Sequence, residues 1–234
     1  MALAALRFTR EHLRTPLTLV MLAALPALFA LMAADVLDQF AEALGGGLLG
    51  GSATALGAGW GAAFVCGAIG YFQVSSSRDA DRRLALAGLG PTRVAASRLL
   101  AALALGLLVA VSAFVALWLI AGIEHPGHAF AAIAAFAAVY LAVGGIVASL
   151  LRDQLSGSLV VAFVFLLDVF SGPGMGNAAS GLTTPSGSAG ELLMAAGAGT
   201  RSPGGDWLEA LVTIAVALAV AGATFWWAAR ERSR

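Results

Sequence analysis

Residues 99–122 read LLAALALGLLVAVSAFVALWLIAG, a long apolar run that contains no charged side chain. A helix needs about 20 consecutive apolar residues to cross the hydrocarbon core of a bilayer. The composition of the whole chain agrees with this run: 60% of the residues are hydrophobic and 11% are charged. Soluble domains carry about 25% charged residues, so this chain has too few charged residues to cover a water-exposed surface. We therefore expect an integral membrane protein.

Five further stretches qualify or nearly qualify as membrane spans. The sequence predicts an all-α integral membrane fold, one transmembrane domain over 1–234, with six transmembrane helices at 17–34, 56–74, 99–122, 129–151, 155–172 and 208–228. The fifth span is the weakest because Ser156, Gly157, Ser158 and Asp168 dilute its apolar character. No cleavable signal peptide is evident, so we expect the first span to be an anchor.

All 13 cationic side chains are arginines, and their distribution predicts the orientation. Twelve lie in the N-terminal segment, the 75–98 and 152–154 connections and the C-terminal tail, while Arg201 alone lies in the opposite connections. Cytoplasmic loops of membrane proteins are enriched in arginine and lysine, so we expect both termini to lie in the cytoplasm. The expected location of the protein is the cell membrane, meaning the inner or plasma membrane. With a net charge of zero, no global basic field attracts nucleic acid.

The long connections contain weaker patterns. The GGGLLGGS stretch at 45–52 is typical of a loop, and Ser188 and Glu191 match a capping box that predicts a short helix at the outer interface within 171–206. Asp168 is the one acidic residue within a span. It is expected either to line a substrate pathway or to make only local hydrogen bonds near water at the helix end.

Enzyme signatures are missing. Without lysine the chain has no phosphate-binding G-x-x-x-x-G-K-[ST] loop, and it has no G-x-S-x-G motif either. His125 and His128 flank a turn beside Glu124, where a solvated polar turn is favoured over a metal site. The single cysteine, Cys66, excludes an intramolecular disulfide and is expected to be a small buried side chain. We expect a protein that is not an enzyme and has no metal site.

Two cytoplasmic segments carry the functional prediction. Leu3 to Arg14 has the alternation of leucine and arginine that is typical of an interfacial helix over 3–14. After the second span, residues 76–90 predict a short amphipathic helix, which Gly88 and Gly90 end before Pro91 opens the next helix. Taken singly, both segments are explained equally well as positive-inside anchors without a partner.

The combination of these features resembles the permeases of ABC-2 type transporters. The resemblance is carried by Arg83-x-x-x-x-Gly88-x-Gly90-Pro91-x-Arg93-x-x-x-x-Arg98-Leu99 and by Phe170-Ser171-Gly172-x-Gly174-Met175. This chain departs from the family pattern in having Asp79 and Asp81 where a glutamate is usual, and in its early Pro173.

The resemblance implies an ABC-2 (type V) exporter-like bundle, a transmembrane subunit driven by a separate ABC ATPase. That partner would bind ATP and magnesium, and this chain would hold no cofactor itself. Two permease subunits, expected as a homodimer, would pair in the lipid membrane. The 76–90 helix would couple the two proteins, with contacts from Arg82 and Arg83 and packing by Leu84, Leu86 and Leu89.

The apolar walls of the spans fit export of a hydrophobic or amphipathic substrate. Two other functions remain open on the sequence. The chain could be a membrane scaffold or assembly subunit that docks partners through the same arginines, or an ion-coupled secondary transporter. Secondary transporters usually contain broken helices and charged residues at mid-membrane, neither of which is clear in the sequence.

Overall fold

The computed structural model describes residues 16–43, 47–48, 51–77, 80, 83–84, 87–88, 90–151, 153–173, 175, 186–200 and 205–231. Within these residues there is no β-strand, and the predicted all-α fold is confirmed. The helices are α1 (Pro16–Ala43), α2 (Ser52–Ser75), α3 (Pro91–Ala121), α4 (Pro126–Leu150), α5 (Gln154–Ser171), α6 (Gly187–Gly197) and α7 (Gly205–Glu231). The predicted interfacial helix over 3–14 lies outside the described residues.

The helices α2, α3, α4, α5 and α7 are each long and apolar enough to cross a membrane. The chain is therefore a multi-pass membrane protein. The predicted first span lies inside α1, where several side chains fall outside the described part, so the count of six remains a prediction. Exposed tryptophans lie near opposite ends of the bundle, Trp118 on α3 and Trp226 and Trp227 on α7, as in the aromatic belts of membrane proteins.

Most helices extend beyond the predicted spans, by the most at the end of α1 and the start of α3. Helix α1 continues to Ala43, nine residues beyond the expected end at 34, because no proline or glycine occurs between 34 and Gly45 and because Leu37 and Ala41 pack into the core. Helix α3 begins at Pro91, where the Gly90-Pro91 pattern predicts a start. The φ angle of 74° at Gly90 is one that residues with a Cβ rarely adopt.

The centre of the bundle is the pair α2 and α4, whose spans are 78% and 72% buried. Their backbones touch where Gly144 of α4 faces Gly67 of α2, and a Cβ at position 144 would also lie 2.7 Å from the backbone nitrogen of Tyr71. Glycine is therefore required for this approach. From the sequence, Gly57, Gly61, Gly144 and Gly145 fit close helix packing either within the chain or in a dimer. In the structure Gly61, Gly144 and Gly145 each face another helix of the same chain, and Gly57 is buried.

The tyrosines attach α5 to the central pair at two levels. The Tyr71 hydroxyl donates to the carbonyl oxygens of Asp153 and Gln154, at 3.2 and 3.0 Å, where α5 begins. The Tyr140 hydroxyl reaches Asp168 near the other end of α5. Only 22% of the α5 span is buried, so these polar contacts supplement a small apolar interface.

The predicted short helix in 171–206 exists as α6, but its predicted start is wrong. It begins at Gly187 after Ser186, so Ser188 is not the capping residue, and no side-chain hydrogen bond caps the helix. Helix α6 packs against α2, α4 and α7, and its location at the outer membrane interface stays a prediction. Leu192 and Leu193 are fully buried, and this burial holds the helix inside the bundle.

Candidate functional site: a buried carboxylate beside an apolar cleft

Asp168 lies inside the bundle and is 2% exposed. The sequence suggested that water could reach it near the end of α5, whereas in the structure Asp168 is enclosed and is hydrogen-bonded by Tyr140 and by Ser186, the residue before α6. Its Oδ2 accepts hydrogen bonds from the Tyr140 hydroxyl and the Ser186 hydroxyl, both at 2.6 Å. Tyr140 is the fifteenth residue of the 25-residue helix α4, so the carboxylate lies beside the middle of a spanning helix.

The second donor comes from the start of α6. Ser186 occupies the N-cap position, and its hydroxyl binds Asp168 rather than capping its own helix. The first backbone N–H groups of a helix have no partner within it and give its N-terminus a partial positive charge. The beginning of α6 therefore places both a hydroxyl donor and the positive end of a helix dipole beside the carboxylate.

The other carboxylate oxygen, Oδ1, is buried without a hydrogen-bond partner in the described part of the chain. Moving a carboxylate out of water costs several kcal/mol even after the protein relaxes. A hydrogen bond to a charged group contributes about 1.5–3 kcal/mol. The two hydroxyls thus offset much of the cost through Oδ2, whereas Oδ1 receives nothing.

An apolar cleft of about 380 Å³ lies on the neighbouring side of α5, between α1, α2 and α5. This volume falls within the range of about 300–1,000 Å³ that is typical of small-molecule sites. Its lining is Leu28, Phe29, Met32, Val36, Leu37, Gly57, Trp60, Phe165, Leu166 and Val169. Apart from the indole nitrogen of Trp60, these side chains carry no polar atom, so the cleft suits an apolar occupant.

Phe165 separates the cleft from the carboxylate. It precedes Asp168 by one helical turn and lines the cleft. Its ring makes edge contacts with Phe29 and Phe64, at centroid distances of 6.3 and 5.2 Å, and with Tyr140 at 5.9 Å. The same aromatic ring therefore touches a wall of the cleft and a hydrogen-bond donor to Asp168.

Two of the predicted coupling residues, Arg83 and Leu84, are described, and they lie between the end of α2 and the start of α3, at the opposite end of the bundle from α6. Arg83 is exposed and Leu84 is half-buried, while Arg82, Leu86 and Leu89 fall outside the described residues. Of the described positions within 76–90, Ala80, Arg83 and Leu84 are α-helical, and Ala87 and Gly88 are π-helical. Of the predicted coupling residues that the structure describes, neither Arg83 nor Leu84 contacts Asp168.

A buried polar pair borders this coupling segment. The Arg98 guanidinium, 8% exposed, donates to Oε1 of Gln73 at 3.4 Å, which joins the first turns of α3 to the last turns of α2. Since these helices lead into and out of 76–90, a displacement of the segment acts on two helices that are already connected.

The turn between α3 and α4 contains the histidines that the sequence singled out. The rings of His125 and His128 lie 5.6 Å apart with an interplanar angle of 60°. Within the described residues, no three histidine, cysteine or acidic side chains are grouped closely enough to hold a metal ion.

Comparisons with known proteins identify no relative: no protein-family model matches the sequence, and no curated protein resembles it at a significant level.

Sequence reasoning singled out Asp168 but missed its surroundings. Tyr140, Ser186, Trp60 and Phe165 were not identified as site residues. One signal was present, since Tyr140 is one of two tyrosines in a chain rich in alanine and leucine, and a buried tyrosine hydroxyl usually needs a partner. Nothing in the sequence indicated that α6 turns inward.

Proposed function

We propose that this chain is the permease subunit of an ATP-driven exporter, which moves a hydrophobic or amphipathic substrate outward across the cell membrane. The observation that carries the proposal is the apolar cleft, which lies among spanning helices and is separated by Phe165 from Asp168, the one buried acidic side chain among the described residues. A site of this kind suits cargo that partitions into the bilayer. The chain contains no phosphate-binding loop, so in this proposal a partner hydrolyses the ATP.

The proposed partner is an ABC ATPase on the cytoplasmic face, where the arginine-rich connections lie under the positive-inside rule. The exposed Arg83 and the segment around it supply the docking surface. Six spans, both termini in the cytoplasm and the ABC-2 bundle belong to this proposal. ATP-driven movement of segment 76–90 would shift α2 and α3 together through the Gln73–Arg98 pair and change the packing around α6.

A second permease subunit is part of the same proposal. Helix α5 exposes large apolar side chains along its outer surface, including Leu155, Leu159 and Phe163, which are 61–70% exposed. In a membrane such a face contacts lipid or a second copy. A homodimer would place two clefts and two carboxylates in one transporter.

The test is capture of the tagged, full-length chain from its native membrane in a mild detergent, followed by an assay of ATP hydrolysis. The unaltered chain should carry an ATPase with it. Arg83→Glu should lose most of this activity because it reverses a docking charge. Arg93→Glu is the matched control, since Arg93 is also an exposed arginine at this end. Absence of hydrolysis from the unaltered chain, or equal losses in both variants, would contradict the proposal.

The burial of Asp168 favours one alternative, an ion-coupled secondary transporter. The sequence offers little support for ion coupling because Asp168 is near the end of its own helix. In the structure, however, its carboxylate lies beside the middle of α4. Buried intramembrane carboxylates are typical of ion and proton pathways. A transporter of this kind would respond to an imposed ion gradient and not to ATP.

A further inference from the structure

We propose that the cleft and Asp168 together form one binding site for a lipophilic ammonium ion, an amphiphile with a primary amine at one end of a long apolar body. The proposal deepens the proposed function by naming the class of cargo, and it rests on that function only in treating the ligand as cargo. Binding itself requires neither ATP nor a partner.

The charge of the ligand is argued from Asp168. It is the only buried acidic side chain among the described residues, and its Oδ1 has no hydrogen-bond partner. The donors in place, Tyr140 and Ser186, both use Oδ2. A primary ammonium supplies a positive charge and three N–H donors. It therefore provides both things that the carboxylate lacks, a counter-charge and a donor to Oδ1.

The apolar body of the ligand is argued from the cleft. Leu166 and Val169 of α5 face Met32 and Val36 of α1 across it, with Trp60 of α2 at the same level. A polar body would lose its hydration on entering and gain no hydrogen bond from such walls. An alkyl or aromatic body has no hydrogen bonds to water to lose, and it moves from water or lipid to the apolar walls of the cleft.

The two halves are joined at Phe165. Its ring borders the cleft and contacts Tyr140, while Asp168 follows one turn later on the same helix. A ligand with its body in the cleft can place its head group next to this ring, and binding requires the ring to move aside so that the ammonium reaches Oδ1. Neutral amphiphiles fit the cleft equally well but leave the carboxylate unpaired, so the amine should be preferred.

The experiment uses the purified full-length chain in lipid nanodiscs and two probes, a long-chain alkylammonium with bromine at the far end of its tail and the alcohol of the same length and bromination. Bromine quenches nearby tryptophan fluorescence, so a tail in the cleft should quench Trp60. Trp60→Phe removes this reporter and identifies the quenching that arises in the cleft. Asp168→Asn removes the charge at constant shape, and Asp153→Asn makes the same change at an exposed position beside the first residue of α5.

We expect the ammonium to bind the unaltered chain at least tenfold more tightly than the alcohol, measured by the Trp60-dependent quenching. Asp168→Asn should abolish this preference without weakening the alcohol, and Asp153→Asn should keep it. Equal binding of the two probes to the unaltered chain would overturn the proposal, and this comparison holds even if Asp168→Asn fails to fold. A preference that survives in Asp168→Asn, or quenching that does not depend on Trp60, would also overturn it. None of these results bears on whether an ATPase binds Arg83.

Discussion

Replacing Tyr140 by phenylalanine removes one hydroxyl from the bundle and leaves the aromatic ring in place. That hydroxyl donates to Oδ2 of the buried Asp168 at 2.6 Å. The chain supplies a matched control, because Tyr71 is also buried and also attaches α5 to the central helices, through the neutral carbonyl oxygens of Asp153 and Gln154. The same substitution thus removes a hydrogen bond to a charged group at one site and to neutral groups at the other.

The two losses should differ in size. Hydrogen bonds to charged groups contribute about 1.5–3 kcal/mol, whereas hydrogen bonds between membrane helices average about 0.6 kcal/mol. Tyr140→Phe should therefore lower the free energy of unfolding by about 2 kcal/mol, and Tyr71→Phe by about 0.6 kcal/mol. In an Asp168→Asn background the bond from Tyr140 becomes neutral, so its loss should cost only about 0.6 kcal/mol.

The assay is reversible unfolding in mixed micelles with increasing denaturing detergent, applied to the single variants and to the Tyr140→Phe, Asp168→Asn double variant. The double-mutant cycle isolates the interaction between the two side chains. Equal losses for the two tyrosine variants, or a coupling between Tyr140 and Asp168 near zero, would refute a charge-assisted hydrogen bond at this site.

Three further predictions concern packing, the start of α5 and the cysteine. Gly144→Ala should destabilise the bundle by about 1–3 kcal/mol because the new methyl group meets the backbone of α2, whereas Gly222→Ala, whose nearest neighbour would lie 3.7 Å away, should be neutral or stabilising in the same unfolding assay. Hydrogen bonds from the hydroxyl and backbone N–H of Ser156 lower the pKa of Asp153. The ionised Asp153 therefore stabilises the folded protein fully above the unfolded pKa of about 3.9, and this stabilisation is lost as the pH falls through the lower pKa of the folded state. Asp153→Ala should remove this acid-dependent part of the unfolding free energy, and an unchanged pH profile would count against the cap. Cys66, fully buried, should resist a maleimide until the protein is denatured, and rapid labelling of the native protein would contradict its position.

Much of the fold follows from the sequence because hydrophobic length is a strong signal in membranes. An uncharged run such as 99–122 has few alternatives to a spanning helix, and Gly90-Pro91 determines where α3 begins. The end of α1 was placed too early at 34, since hydropathy falls at Asp35 although the helix continues to Ala43. A drop in hydropathy marks the end of an apolar run and need not mark the end of a helix.

The candidate site was harder to predict because it depends on contacts between distant segments. Asp168 was recognised from its position in a span, but its contacts with Tyr140 and Ser186 join residues far apart in the sequence. Ser186 looked like part of a glycine- and serine-rich connection, and only the fold brings it 2.6 Å from Asp168. Hydroxyl partners of a buried carboxylate leave no periodic pattern in a sequence.

The most direct test of the proposed function is whether ATP at one end of the bundle alters α6 at the other. A single cysteine in place of the fully buried Leu192, in a Cys66→Ala background, reports the opening of α6 through its rate of maleimide labelling in native membranes. The exporter proposal predicts that ATP changes this rate several-fold and that Arg83→Glu abolishes the change. A rate that ignores ATP but responds to an imposed ion gradient would contradict the proposal and favour a secondary transporter.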